Sequence, residues 1–329
     1  MWLNIGYALP APMSGSGIYR IGMYGAAFCI FAVIPICFYW RHLKLSLVHR
    51  CIAFAIFILA TACMLPGCAE SRTKTAQGIP IVGIQMEFPP ENVIPKMLDK
   101  ALAKNTNAEI FVLSEYTLGG PVPNALKNWC RDHSKFLVVG GMDHADTNNF
   151  YDTAFVVGTN GDIVFKQGKC VPIQFFHDGL PAPNQKLWDS PWGKIGFCVC
   201  YDLSYSRVTD ELVRQGAQML IVPTMDIEFW SRHEHELHTR VAPVRAAEYN
   251  IPIFRLASSG ISQAVAANGN VVAQAPMPGN GDFLVANLGT SSHAALPIDR
   301  YLAPACTAIT AFITLVSLMG AWRKEPSRP

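Results

Sequence analysis

The stretch Lys194-Ile195-Gly196-Phe197-Cys198-Val199-Cys200-Tyr201-Asp202 decides how this chain is read. Apolar residues climb toward the second cysteine, and a polar, acidic stretch follows it at once. That pattern predicts a buried strand ending in a tight turn, with the Cys200 thiol at the strand's C-terminal edge. Ligand and catalytic residues concentrate at such edges in α/β sheets. Two further strand ends upstream offer the partners a cysteine nucleophile needs. Glu115 ends Glu109-Ile110-Phe111-Val112-Leu113-Ser114-Glu115, and Lys169 ends Gly161-Asp162-Ile163-Val164-Phe165-Lys166-Gln167-Gly168-Lys169.

From residue 79 short apolar runs alternate with amphipathic stretches. Runs at 79–85, 109–114, 136–140, 154–158, 193–199, 218–222, 252–255 and 270–273 read as strands, and 92–104, 125–133, 210–215 and 242–249 read as helices. That alternation predicts an α/β domain. Asn160-Gly161 and Asn268-Gly269 are hairpin signals. No internal repeat or low-complexity tract stands out.

Half of the 329 residues are hydrophobic and only 15% are charged. Soluble domains carry about 25% charged residues, so part of the chain is expected in lipid. Apolar segments at 18–40, 51–67 and 301–322 are the candidates. The second is near the minimum length for a span, and a buried or interfacial helix is its alternative. The loop at 41–50 and the tail at 323–329 are basic, and short basic loops stay cytoplasmic. Three transmembrane helices then leave the middle of the chain on the outer face. The expected organisation is a tail at 1–17, two helices within 18–67, a linker at 68–78, a catalytic domain at 79–290, a helix at 301–322 and a cytoplasmic tail at 323–329. A net charge of +2 gives no argument for nucleic acid as a partner.

The ten cysteines do not form a disulfide framework. Cys29, Cys37, Cys51, Cys63 and Cys306 lie in apolar runs, where cysteine acts as a small hydrophobe. Cys68, Cys130, Cys170, Cys198 and Cys200 have no metal spacing. On a continuous strand Cys198 shares a face with Cys200 and neighbours it, with core filling as the plainer role. Leu65-Pro66-Gly67-Cys68 has the look of a lipidation signal, but it sits far from the N-terminus. His235-Glu236-Leu237-His238 lacks the four-residue histidine spacing of the zinc-protease helix, so no metal site is expected. The segment reads as a polar helix on the rim of the site.

A thiol attacks a carbonyl or nitrile carbon as its thiolate. A nearby carboxylate can take the proton and later activate the resolving water or amine. An ammonium and a backbone N–H can hold the oxyanion that forms. Glu115, Lys169 and Cys200 supply base, electrophile and nucleophile, with the Tyr201 N–H beside the thiol.

In this order and context the residues resemble the nitrilase, or carbon–nitrogen hydrolase, superfamily, whose catalytic set is Glu–Lys–Cys. The likeness runs through residues 81–85, 109–115, 161–169, 196–202 and 216–224, then Arg245-Ala246-Ala247-Glu248 and Ser259-Gly260-Ile261-Ser262. It implies an α-β-β-α four-layer sandwich. Apolar segments on both sides, Val171-Pro172 after the lysine, and Met225-Asp226 followed by Trp230 are similar to the apolipoprotein N-acyltransferase branch. That branch moves an acyl chain from a phospholipid to a lipoprotein amino terminus through a cysteine thioester, at the outer face of a bacterial inner membrane, without metal or organic cofactor.

The chain departs from that branch in two ways. Three apolar segments are fewer than its membrane helices. No glutamate follows in Lys169-Cys170-Val171-Pro172-Ile173-Gln174-Phe175-Phe176-His177-Asp178, which leaves Asp178 as the candidate for the branch's second carboxylate and Lys166 as an alternative lysine. Lys169 keeps the family's distance from Gly161. Asp202 either orients the cysteine loop or caps the next helix. Tyr116 and Trp230 either line the acyl entrance or pack. The expected partners are a phospholipid donor, a lipoprotein or small amine or amide acceptor, and the membrane. The rival expectations are a membrane-anchored amidase or nitrilase with the same three residues, a non-catalytic membrane scaffold, and a chain whose further N-terminal helices come from a longer or separate gene product.

Overall fold

The computed structural model describes Tyr7, residues 20–28, Phe31 and residues 78–322. Most of the first apolar segment, the second, the linker with Cys68, and the tail at 323–329 lie outside the described residues. The first half runs β1 (Ile79–Ile84), α1 (Ile94–Lys104), β2 (Ile110–Leu113), α2 (Asn124–His133), β3 (Phe136–His144), β4 (Phe150–Val157) and β5 (Ile163–Gly168). The second opens with β6 (Leu187–Ser190), β7 (Gly193–Phe197), a 3₁₀ turn (Cys200–Ser204), α3 (Ser206–Arg214) and β8 (Met219–Thr224). It continues through α4 (Arg232–Thr239), α5 (Val241–Tyr249), β9 (Ile253–Ala257), β10 (Ser262–Val265), β11 (Val271–Ala275) and β12 (Phe283–Leu288) to α6 (Asp299–Trp322).

Two six-stranded sheets result, in the orders β12-β1-β2-β3-β4-β5 and β11-β10-β9-β8-β7-β6. Both follow one plan. β1, β2 and β3 are parallel, with β12 antiparallel on one flank and the β4–β5 hairpin on the other. β7, β8 and β9 are parallel, flanked by β6 and by the β10–β11 hairpin. Asn160-Gly161 and Asn268-Gly269 make the two hairpin turns, each glycine in the left-handed region at φ 84° and 87°.

Strand alternation explains the stacking. In β2, Ile110 and Val112 face one way and Phe111 and Leu113 the other; in β8, Met219 and Ile221 oppose Leu220 and Val222. Both faces are apolar because both are covered. Ile110, Val112, Ile195, Phe197, Met219 and Ile221 join in one core between the sheets. On the outer face of the first sheet, Ile94, Leu98 and Ala101 of α1 and Leu126 and Trp129 of α2 pack down at helical spacing. On the outer face of the second, α3 and the fully buried α5 do the same. The layers run helix, sheet, sheet, helix. The alternation runs on past the end of β7 at Phe197, with Cys198 opposite Phe197 and Val199, and breaks at Cys200. Cys198 therefore packs in the helix-facing core and Cys200 in the inter-sheet core, which corrects the reading that they share a face.

The two ends of the described chain meet at one place. Ile298 N–H donates to Arg20 O at 3.0 Å, and Gly25 N–H to Asp299 Oδ2 at 3.2 Å. Gly22 has φ 98°, and a Cβ there would lie 2.1 Å from the Asp299 carboxyl group. Below this contact Met23 N–H donates to Glu248 Oε1 at 3.0 Å. Glu248 also holds Arg245 at 2.5 Å and Arg300 at 3.4 Å. From here α6 leaves the domain: Asp299–Met319 is 21 residues of mean hydropathy 1.9, its apolar stretch exposed beyond the buried Asp299. At 1.5 Å per residue it spans about 32 Å, the thickness of a bilayer core. It is the single described helix long and apolar enough to cross a membrane.

Glu248 is the counter-charge of a fully buried arginine. Glu248→Ala strands Arg245 and is expected to cost about 3–5 kcal/mol. Chemical denaturation of the full chain in detergent measures this, and an unchanged midpoint contradicts it.

Candidate active site

Cys200 stands where β7 gives way to the 3₁₀ turn, at φ 47°. A non-glycine residue in that region costs about 1–3 kcal/mol and persists only where its surroundings impose it. Asp202 supplies that constraint. Its buried carboxylate accepts the Val199 N–H at 3.3 Å, the Cys170 N–H at 3.1 Å and the Val171 N–H at 2.8 Å. The nucleophile's turn is thereby tied to the segment just after Lys169. Asp202 reaches backwards rather than to α3, whose cap position is Tyr205. Burial pushes its carboxyl up to about 6, against the three N–H donors and Lys169.

Glu115 leaves the end of β2 and is 2% exposed. Its Oε1 accepts from Lys169 Nζ at 2.7 Å, and its Oε2 from the Met225 N–H, just past β8, at 2.5 Å. Gly140 of β3 passes so close that a Cβ there would come within 2.5 Å of the Glu115 Cα. Lys169 follows β5 and is fully buried. Besides Glu115 it pairs with Asp178 at 2.8 Å and Asp152 at 3.4 Å. Lys166, the alternative lysine, is on the surface with Asp143 at 2.5 Å. Cys200 Sγ lies 4.0 Å from Met225 O. Strand ends from both sheets thus converge on one buried cluster: Glu115 and Lys169 from the first, Cys200 and Met225 from the second.

Asp178 accepts from the Tyr116 hydroxyl at 2.8 Å and the Ile173 N–H at 2.6 Å. Tyr116, at φ 52°, has its ring edge-on to Phe150. Tyr201 is half-buried against Tyr205, rings 5.0 Å apart. Trp230 lies beside His235, 6.3 Å between rings. The carboxylate oxygens of Glu115, Asp152 and Asp178 come within 4.8 Å of one another. That spacing would suit a metal ion, but the Lys169 ammonium is the cation on which they converge.

Two features escape a reading of the sequence. Asp152 sits in β4 with Ala154 and Val156 two and four residues on, and both of those face the inter-sheet core. Strand parity therefore points the acid inward. The second is a buried ionic group next to Met225. Asp226 binds His238 Nδ1 at 2.7 Å and Arg255 at 2.6 Å. Helix α4 is consequently no solvated rim: His235 and His238 are buried. A charge-rich helix hides this, because His238 answers to an aspartate and an arginine from other elements.

Burial, followed by the Glu115 charge, drives the Cys200 thiol well above its usual range, and the Lys169 ammonium opposes them. Burial also works to raise Glu115. The Lys169 charge, with the Asp152 and Cys200 side chains beside it, outweighs burial and holds that carboxyl below the ordinary range. Lys169 is kept charged despite burial by Glu115, Asp152, Cys200 and Asp178. Burial lifts Asp152 well above a normal carboxyl, with Glu115 adding to the shift.

A family model for carbon–nitrogen hydrolases matches residues 69–290. The chain belongs to this family. The carbon–nitrogen hydrolases, of the nitrilase superfamily, are cysteine-dependent enzymes, and this chain is one of them. The domain is 25% identical over 212 residues to an apolipoprotein N-acyltransferase of Bdellovibrio bacteriovorus, covering 57% of this chain and 37% of that protein. It is 28% identical over 98 residues to an omega-amidase of Xenopus laevis, covering 27% of this chain and 36% of that protein. The chain spans well under half the length of these relatives. In fold it is similar to a carbon–nitrogen hydrolase from Helicobacter pylori, with a TM-score of 0.57 at 16% identity, covering 64% of this chain and 89% of that one. It is also similar to Nit3 of Saccharomyces cerevisiae, with a TM-score of 0.55 at 17% identity, covering 68% and 93%.

Asp202→Asn replaces an acceptor-only group by one whose amide NH₂ faces backbone N–H donors. It is expected to cost about 1–3 kcal/mol and to slow alkylation of Cys200 by iodoacetamide. Peptide mass spectrometry follows that rate, and an unchanged rate would separate Asp202 from the nucleophile's geometry.

Proposed function

We propose that the 79–290 domain is a cysteine acyltransferase held to the outer face of a bacterial inner membrane. In this reading it moves an acyl chain from a phospholipid to a lipoprotein amino terminus. The observation that carries the proposal is the coincidence of a buried Glu–Lys–Cys cluster with an exposed, apolar helix that starts from the same domain. The 212-residue similarity to an apolipoprotein N-acyltransferase supports it. So do the docked segment at 20–28 and α6, which leave the domain from one point. The basic sequence at 41–50 and at 323–329 agrees with an outer-face domain.

Glu115 takes the proton from Cys200, and the thiolate attacks the ester carbonyl of the donor. The new C–S bond forms as the carbonyl π pair moves onto oxygen. Lys169 hydrogen-bonds Glu115 and pairs with Asp178. Its contact with Asp152, at 3.4 Å, is not a hydrogen bond. One N–H is thus left to meet the oxyanion, with the Tyr201 N–H as its partner. The intermediate collapses, the lysolipid alkoxide leaves with the proton from Glu115, and the thioester remains on Cys200. Glu115 then takes a proton from the incoming amine, which displaces the thiolate. Asp178 and Tyr116 fix the lysine, and Asp202 fixes the nucleophile's turn. Phe175, Phe176 and Phe229 are exposed on segments adjoining Asp178 and Met225. With Trp230 they are apolar surface suited to a lipid chain. No metal or organic cofactor enters this chemistry.

A second reading, hydrolysis of small amides with water as acceptor, is favoured by the omega-amidase relatives. One experiment distinguishes them. The full chain in detergent is given phospholipid with a lipopeptide amine, or small amides alone, and the Cys200 peptide is weighed. Transfer predicts a fatty acyl thioester that the amine discharges; acyl-enzyme formed from small amides alone sinks it in favour of hydrolysis. Cys200→Ala should abolish the adduct. Glu115→Gln should slow its formation about 10²–10⁴-fold, and Lys169→Met about 10²–10³-fold.

A further inference from the structure

Glu115, Asp152 and Asp178 share one buried site with a single cation, Lys169, and their side chains are 5% exposed or less. With all three acids ionised, three negative charges would face one positive charge. Buried carboxylates crowded this closely share a proton rather than all ionise. The hydrogen-bond donors identify its holder. Glu115 receives the Lys169 ammonium and the Met225 N–H. Asp178 receives the Tyr116 hydroxyl and the Ile173 N–H, with the ammonium at 2.8 Å. Among the described residues no donor hydrogen-bonds either Asp152 oxygen, and the ammonium stands off at 3.4 Å. Asp152 instead faces two carboxylates: one of its oxygens lies within 4.8 Å of one oxygen of Glu115 and one of Asp178. Acceptor against acceptor is unfavourable unless one of the two carries a hydrogen.

We propose that Asp152 is the neutral member of the cluster and a positioning residue for Glu115, its carboxylic O–H donating to the Glu115 carboxylate. The proposal deepens the assignment of Glu115 as base and Lys169 as oxyanion partner, and rests on it for its purpose. Glu115 is then held from three sides, by Lys169, Met225 and Asp152. Lys169 also keeps an N–H for the oxyanion. An ionised Asp152 would draw that N–H into a third ion pair. The charged and titratable groups around Asp152 are Glu115 beyond β2, Lys169 beyond β5, Asp178 and Tyr116 on the loops, and Cys200 in the turn after β7. Asparagine is close in shape and offers an N–H where the acid offers an O–H, so Asp152→Asn preserves the arrangement and Asp152→Ala removes it.

Infrared difference spectra of the full chain in detergent test the proton directly. At pH 8 Asp202 is ionised and does not contribute. Wild type is expected to show the C=O stretch of a buried carboxylic acid, shifted down in D₂O and missing from Asp152→Asn. In parallel, the pH profile of Cys200 alkylation by iodoacetamide is read by mass spectrometry. Asp152→Asn should overlay wild type, and Asp152→Ala should react about tenfold more slowly. The proposal is overturned if wild type and Asp152→Asn give the same spectrum. It is also overturned if Asp152→Asn lowers the apparent pKa of Cys200 by about one unit or more, the result of removing a like charge. The spectrum requires no turnover. A band that disappears in Asp152→Asn supports the proposal even if phospholipid proves not to be the donor, so the two readings fail separately.

Discussion

The Lys169 ammonium, fully buried and 2.7 Å from Glu115 and 2.8 Å from Asp178, is the contact around which the two sheets are organised. Burying a charge costs several kcal/mol unless partners offset it, and here the two close partners come from separate segments. Glu115 ends a strand and Asp178 sits on the loop after β5. Each must be where the fold puts it for the lysine to remain charged. The thiol across the site depends on the same contact, because Lys169 is the positive charge opposing the burial that raises it.

Asp202 extends this dependence to the second sheet. Its three N–H acceptor contacts bind the nucleophile's turn to residues 170 and 171, immediately after the lysine. Base and nucleophile are therefore not two strand ends that happen to be near. Met225 N–H bridges from β8 to Glu115, and Asp226 behind it is locked by His238 and Arg255. Burial works to raise the Asp226 carboxyl, but those two groups hold it well below the usual range. A charge so committed gives the loop after β8 little freedom, which in turn fixes the donor that Glu115 uses.

The fold was legible where local pattern and final environment agree. Runs such as Ile110–Leu113 and Met219–Thr224 are apolar on both faces because helices cover one side and the other sheet covers the other. The two Asn-Gly turns were legible because their glycines need a positive φ. Cys198 and Cys200 were put on one face because alternation holds through Val199 and fails at Cys200, where the chain enters the 3₁₀ turn at φ 47°. His238 of α4 was read as solvated because its partners, Asp226 and Arg255, are 12 and 17 residues away in sequence. The common plan of the two sheets left no visible repeat. Strand order constrains which positions are apolar, not which apolar residue fills them.

The route from α6 to the thiol follows from the same buried charges. Arg300, the second residue of α6, reaches Glu248 at 3.4 Å and Asp210 at 2.9 Å. Glu248 holds Arg245, whose guanidinium donates to the carbonyls of Leu203 at 3.0 Å and Ser204 at 2.8 Å. Those carbonyls belong to the 3₁₀ turn that begins at Cys200. The helix that leaves the domain is thus continuous, through three charged side chains and two carbonyls, with the turn that strains the nucleophile into the left-handed region. A tether attached through a loose linker would have no such path. Here the start of α6 is part of the packing that sets the turn, so the orientation of the helix and the geometry of the cysteine are held by one network.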